Sequence, residues 1–149
     1  MAHDFVKFPE LTDSQMAVYY FESPHKQIFN DFRAVVVKVH DGDTITLRWK
    51  ERNFDFPLRF INIAAPELKQ DGGKESQAWL EKMLIGNEIG IIINPDNRVD
   101  KWGRLLGYVN LHGTDVGEES IMLNKSKPWS EREDGIIPDF DMELDKIWA

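Results

Sequence analysis

The sequence predicts an α+β fold that is mainly β: a small barrel of five strands with helices packed on it. Three observations carry this expectation. Five β-rich or apolar segments recur between residues 34 and 111, and an amphipathic stretch over Glu75 to Ile85 follows the third of them. The chain has 149 residues and no cysteine, and a domain of this size buries about two thirds of its unfolded surface around one core without disulfides or structural metal.

The first two strands are Val35-Val36-Val37 with Val39, and Thr44-Ile45-Thr46-Leu47, joined by Asp41-Gly42 as a hairpin turn. Phe54 to Ile63 alternates apolar residues as a third strand and is stopped by Pro66, which has no N–H to give to a sheet. After Asp71-Gly72-Gly73 comes the first helix, with Trp79, Leu80, Met83 and Leu84 on its apolar face and Gly86 as its C-terminal cap. Ile89 to Ile93 and Leu105 to Leu111 read as the fourth and fifth strands, separated by the loop Asn94-Pro95-Asp96-Asn97, and Tyr108 is expected in the core. Asp115 with Glu118 resembles a helix-start box for a short helix over Val116 to Leu123, and Asn124 suits a left-handed cap.

Three regions follow: an N-terminal extension over 1–33, expected to hold a short helix and a packing arm; the barrel domain over 34–130; and an acidic tail over 131–149. The net charge of −8 is unfavourable for binding nucleic acid, whose non-specific affinity comes from phosphate neutralisation by Lys and Arg. Its distribution removes the objection. The tail holds seven acids against Arg132 and Lys146, whereas the barrel region holds 14 acids and 13 bases. No cysteine means no thiol nucleophile and no thiolate metal site. The N-terminus has no basic segment followed by an apolar run, and no stretch approaches the roughly 18 apolar residues of a membrane span. A soluble cytoplasmic protein is expected, free or as part of a larger particle.

Four short motifs could carry chemistry. Asp41-Gly42-Asp43-Thr44 places two carboxylates round a tight turn, where oxygens can converge on a hard cation; alone it reads first as a hairpin turn. Arg59 interrupts the apolar third strand, so its guanidinium either meets an anion or faces solvent. Glu67 lies just past the strand end on a loop, where general bases are held by a scaffold within reach of water, and where glutamates are also simply exposed. Asp100-Lys101-Trp102-Gly103-Arg104 is a charged turn before the fifth strand, and Arg104 at its end could turn back toward a barrel-mouth site.

Taken in order, VHDGDTITL, PLRFINIAAPEL, a helix, VDKWGRLLGYV and a short helix beginning DVGEE resemble the staphylococcal nuclease-like (thermonuclease) family over about residues 34–127. The resemblance implies a five-stranded OB-type barrel binding DNA or RNA across its face, and a calcium-dependent phosphodiesterase, an endo- or exonuclease leaving 3′-phosphorylated products. It implies Asp43 as a Ca²⁺ ligand supported by Asp41, with Thr44 and the Ala65 carbonyl as minor contributors. Glu67 would be the base acting on water, and Arg59 and Arg104 the phosphate-holding arginines.

Two departures stand out. Ala64 occupies a position where the family usually has an aspartate that completes the metal site, and Asn62, of the same strand parity, lies too far back to replace it. Fewer anionic ligands bind a hard cation more weakly. The chain is then a nuclease with a weakened metal site, a non-catalytic module binding nucleic acid or protein within a larger assembly, or a nuclease inactivated by substitution. In the second departure, the acidic tail stands where the family often has a basic helix, which suits a protein partner for the tail and the N-terminal extension.

Overall fold

The structure, a computed structural model, describes Phe5 and residues 9–132. The acidic tail expected over 131–149 therefore lies almost wholly outside the described residues. The order is α1 (Asp13–Tyr19), a 3₁₀ turn (Tyr20–Glu22), β1 (Phe32–Asp41), β2 (Thr44–Arg48), β3 (Phe56–Phe60), β4 (Ile63–Ala64), α2 (Gly73–Leu84), β5 (Glu88–Ile92), β6 (Leu105–Leu111), β7 (Thr114–Asp115), α3 (Val116–Met122), β8 (Lys127–Pro128) and a last 3₁₀ turn (Trp129–Glu131). No helix among the described residues is long and apolar enough to cross a membrane.

The sheet runs β3-β2-β1-β5-β6-β7, with β7 a two-residue addition to β6, and β3 also pairs in parallel with β6, Leu58 opposite Leu105 and Phe60 opposite Gly107. That extra pairing closes five strands into the expected barrel and removes the sheet's edges. Its interior is apolar: Val36, Val39, Ile45, Leu47, Leu58, Phe60, Ile89 and Val109 are buried, and Leu80 and Leu84 of α2 pack against them. The core face predicted for α2 is the one observed, with Trp79 and Met83 at its margin. Asn124 takes φ +57° after α3, the left-handed conformation expected of it.

Three local expectations need correcting. The third strand does not run through to Ile63: it ends at Phe60, and Ile63–Ala64 forms a separate ribbon with Lys127–Pro128, outside the barrel sheet. The break aims Asn62 at α3, where its Nδ2 donates to Asp115 Oδ1 (3.3 Å). The fourth strand begins one residue earlier, at Glu88, and ends at Ile92. Tyr108 is half-buried, because the inward position of β6 belongs to its neighbour Val109.

The N-terminal segment is attached to the barrel through a buried charge cluster that the sequence did not reveal. Glu10, with no exposed surface, takes a short hydrogen bond from Arg52 and another from Arg98 Nη1 (3.3 Å), and accepts from the Ile28 amide (3.1 Å). Arg98 also donates to the Leu11 and Ile28 carbonyls and stacks on Phe29, while Arg52 lies 4.6 Å from the Phe56 ring. Burial raises the Glu10 pKa, and the two guanidiniums and the Ile28 amide oppose the rise. Glu10→Ala leaves two buried arginines without their carboxylate, so it is expected to cost about 3–5 kcal/mol in denaturant-induced unfolding. A change below about 0.5 kcal/mol, the range of ordinary surface substitutions, would remove the cluster as the anchor.

Candidate active site

The β1–β2 hairpin presents Asp41 and Asp43. The Asp43 amide donates to Asp41 Oδ1 (3.0 Å), so the carboxylate of the first residue closes the turn on the third. Gly42 between them is required by space: a Cβ there would lie 2.0 Å from Ser76 Oγ of α2 and 2.7 Å from Ala65 Cβ. The turn is thereby pressed onto the loop after β4. The same loop is pressed onto α2 by Gly73, where a Cβ would come within 1.8 Å of the Glu67 carbonyl oxygen.

Asp43 is buried and multiply held. Its Oδ2 accepts from Arg59 Nη2 (3.1 Å) and from the Ala65 amide (2.9 Å), and its Oδ1 from Thr44 Oγ1 (3.1 Å). Thr44 is the cross-strand partner of Arg59, which puts both on the outer face of the barrel. Arg59 has the anion its position demands, and that anion is Asp43. Its Nη1 donates to the Phe60 (2.7 Å) and Ile63 (3.3 Å) carbonyls, and its guanidinium lies 4.6 Å from the Trp129 ring. These three bonds leave two of five guanidinium donors for another acceptor.

Arg104 reaches the same place from the start of β6. Asp100 accepts from its Nε (2.7 Å) and amide and from the Trp102 amide, which folds the 100–104 turn round one carboxylate. Arg104 Nη1 then points to Thr44 Oγ1 (3.4 Å). A continuous path therefore runs Arg104, Thr44, Asp43, Arg59. Glu67 sits two residues after the Ala65 amide that holds Asp43; it is half-buried, and its own amide donates to Gln70 Oε1 (2.9 Å). The structure thus gathers Asp41, Asp43, Arg59 and Arg104 and places the Glu67 loop against them. Ala64 stands beside them, half-buried, opposite Lys127 of β8.

Sequence reasoning missed Trp129, which follows β8 at the start of the last 3₁₀ turn, covers Arg59 and also lies 4.3 Å from the Arg132 guanidinium.

Residues 57–126 match the family model described as staphylococcal nuclease homologue. Over these residues the chain is similar to the staphylococcal nuclease family. It is 34% identical over 79 residues to an uncharacterized endonuclease of Escherichia coli O157:H7, covering 53% of this chain and 48% of that protein. It is 33% identical over 79 residues to a micrococcal nuclease of Shigella flexneri (53% and 42%), and 30% over 89 residues to an uncharacterized protein of Bacillus anthracis (56% and 41%). The matched part of the chain spans less than half the length of each of these curated relatives. The family match takes in Arg59, Ala64, Glu67 and Arg104 and begins after the Asp41–Asp43 turn.

In this candidate site the two carboxylates oppose one another. The Asp41 pKa is pushed up to about 7, by burial first and then by the charge and side chain of Asp43, against the Asp43 amide and Arg59. A carboxyl raised in the fold contributes stability below its unfolded pKa that is lost as pH rises through the folded value. Without divalent cation, Asp41→Asn should match the wild type near pH 4 and exceed its stability by roughly 2–4 kcal/mol at pH 8, read from urea unfolding at each pH. Equal pH dependence in the two proteins would show that Asp41 is not held against Asp43.

Proposed function

We propose that this chain is a nuclease that hydrolyses phosphodiester bonds of single-stranded DNA or RNA at the Arg59–Arg104 site. The observation that supports it most is the hydrogen-bonded path Arg104, Thr44, Asp43, Arg59, which sets two guanidiniums on one outer face. Two arginines fixed by carboxylates, carbonyls and indole rings present their remaining donors in a set direction. Preset donors of this kind stabilise the charge that grows on a phosphoryl group as it passes to five-coordination. Glu67, fixed in a loop that α2 buttresses, takes the proton of a water whose oxygen bonds to phosphorus. The bond to the 5′-oxygen breaks, that oxygen collects a proton from solvent and leaves as the 5′-hydroxyl of the downstream fragment, and the phosphate stays on the 3′-oxygen of the upstream fragment.

Calcium fits this site in a restricted way. Asp41 and Asp43 repel each other strongly enough to raise one pKa, a repulsion that a cation relieves. Yet Asp43 already serves three internal donors, and no group of three His, Cys, Asp or Glu converges among the described residues. The donor set suits a cation held by one or two carboxylates together with water and substrate phosphate, and it does not make a protein cage. Asp41 and Asp43 would hold it, and when bound it would polarise the phosphoryl oxygens and lower the pKa of water.

The same facts favour one competing reading, a non-catalytic module on this fold, because Arg59 neutralises Asp43 internally and Ala64 supplies no ligand. Digestion of labelled single-stranded DNA and RNA, with Ca²⁺ and with a chelator, separates the two. Wild type should cut slowly; Glu67→Gln should lose at least about a hundredfold, as expected for a general base. Ala64→Asp should raise activity and lower the Ca²⁺ concentration needed for half-maximal rate. If wild type is inert and Ala64→Asp stays inert, the enzyme reading is wrong and the module reading replaces it.

A further inference from the structure

The outer face of β1 and β2 continues beyond the candidate site. Pairing passes from Val36 opposite Leu47 to Lys38 opposite Thr46, and from Val39 opposite Ile45 to Asp41 opposite Thr44. Val37 and His40 are therefore the extra residues of two β-bulges, the device that re-aims side chains near sites and at barrel rims. Each bulge resets the alternation. Val36 and Val39 stay in the core, while Lys38 and Asp41, three residues apart, both oppose outward threonines that are two residues apart.

Two rows result on one face. The first holds Arg59, Thr44 and, bonded to Thr44, Arg104. The second lies about 7 Å further along β2 and holds Thr46, Lys38 opposite it, and His40, whose Nε2 shares a 2.7 Å hydrogen bond with Thr46 Oγ1. Lys38 and His40 are exposed, and among the described residues Lys38 forms no ion pair. The carboxylates of the first row's surroundings have partners of their own: Asp41 accepts from the Asp43 amide and Asp100 from Arg104.

We propose that Lys38, His40 and Thr46 form a second phosphate subsite, binding the phosphate next to the scissile one in a single strand laid along the β1–β2 hairpin. The proposal rests on the nuclease reading of the Arg59–Arg104 site. A chain carrying net charge −8 repels a polyanion at long range, so contacts aligned with the substrate backbone must supply its hold. Strand rows at this separation are comparable to the repeat between consecutive phosphates of an extended single strand, and barrels of this type bind oligonucleotides across the strand face. A lysine, together with whichever of the imidazole N–H and the Thr46 hydroxyl their shared hydrogen bond leaves free, supplies phosphate donors that read no base, which suits an enzyme with little sequence preference.

The test uses the described chain with its tail, and fluorescence anisotropy of a labelled oligothymidylate long enough to span both rows, in chelator, over a salt series. Lys38→Ala should flatten the plot of log affinity against log salt by about 0.7, and Lys38→Ala/His40→Ala should weaken binding about tenfold. Both variants should melt at the wild-type temperature, since the two side chains are exposed. The ratio of kcat/KM on the oligothymidylate to that on a dinucleotide, which is too short to reach the second row, should fall in the double variant. An unchanged salt slope and ratio, in a wild type that does cut, overturns the subsite and leaves the nuclease reading standing. A wild type that neither binds nor cuts overturns both.

Discussion

One buried carboxylate organises this face of the barrel. Asp43 would be costly to bury as a bare charge, and it is tolerated because a guanidinium, a backbone amide and a hydroxyl reach it from three directions. Each donor belongs to a different piece of chain: Thr44 to β2, Arg59 to β3, and the Ala65 amide to the loop that carries Glu67. Satisfying Asp43 therefore fixes the relative positions of all three. The contacts at Gly42 and Gly73 do the complementary work sterically, closing the hairpin onto the loop and the loop onto α2. The loop that carries the candidate base Glu67 therefore has little freedom of its own.

The opposite end of the chain solves a similar problem with the ratio reversed. At Asp43 one arginine meets one of two neighbouring carboxylates; at Glu10 two arginines meet one carboxylate. Arg52 and Arg98 are thereby spent on holding the N-terminal segment and are not available to a polyanion. The cations that do reach the outer face are few, and they lie in register with β2. The formal charge of the chain is consequently a poor guide to what its surface can bind, because several basic residues are consumed inside the fold.

Much of this architecture could be read from the residues. The five strands, the apolar face of α2 and the Asp115 start of α3 follow from periodicity and capping chemistry, which are local properties. The site was legible for a different reason: Asp43, Arg59, Glu67 and Arg104 each lie in a motif whose order along the chain is informative. What stayed hidden depends on contacts between distant segments. Glu10 looked like one more acid in an extension without motifs, and nothing near it in sequence signals Arg52 or Arg98. The end of β3 at Phe60 was missed because Ile61 to Ile63 keeps the apolar pattern while the backbone turns Asn62 toward Asp115. The bulges at Val37 and His40 were invisible because a run of valines fits either register.

Ala64 acquires a double meaning from this geometry. A carboxylate there would strengthen a cation site, yet in the absence of the cation it would add a third negative charge beside a pair in which Asp41 already has a pKa of about 7. With alanine, Arg59 balances Asp43 and Arg104 balances Asp100, while Asp41 is divided near neutral pH between its charged and neutral forms. The metal-free face is then close to neutral and presents the unused guanidinium donors to an incoming phosphate without requiring a cation to arrive first. On the proposed nuclease reading, an alanine here weakens the hold on metal and at the same time lowers the electrostatic cost of approach for a phosphate. The relative size of these two effects would then decide between hydrolysis and retention of the strand. That balance follows from the charges surrounding Asp43, of which Ala64 is one absent member.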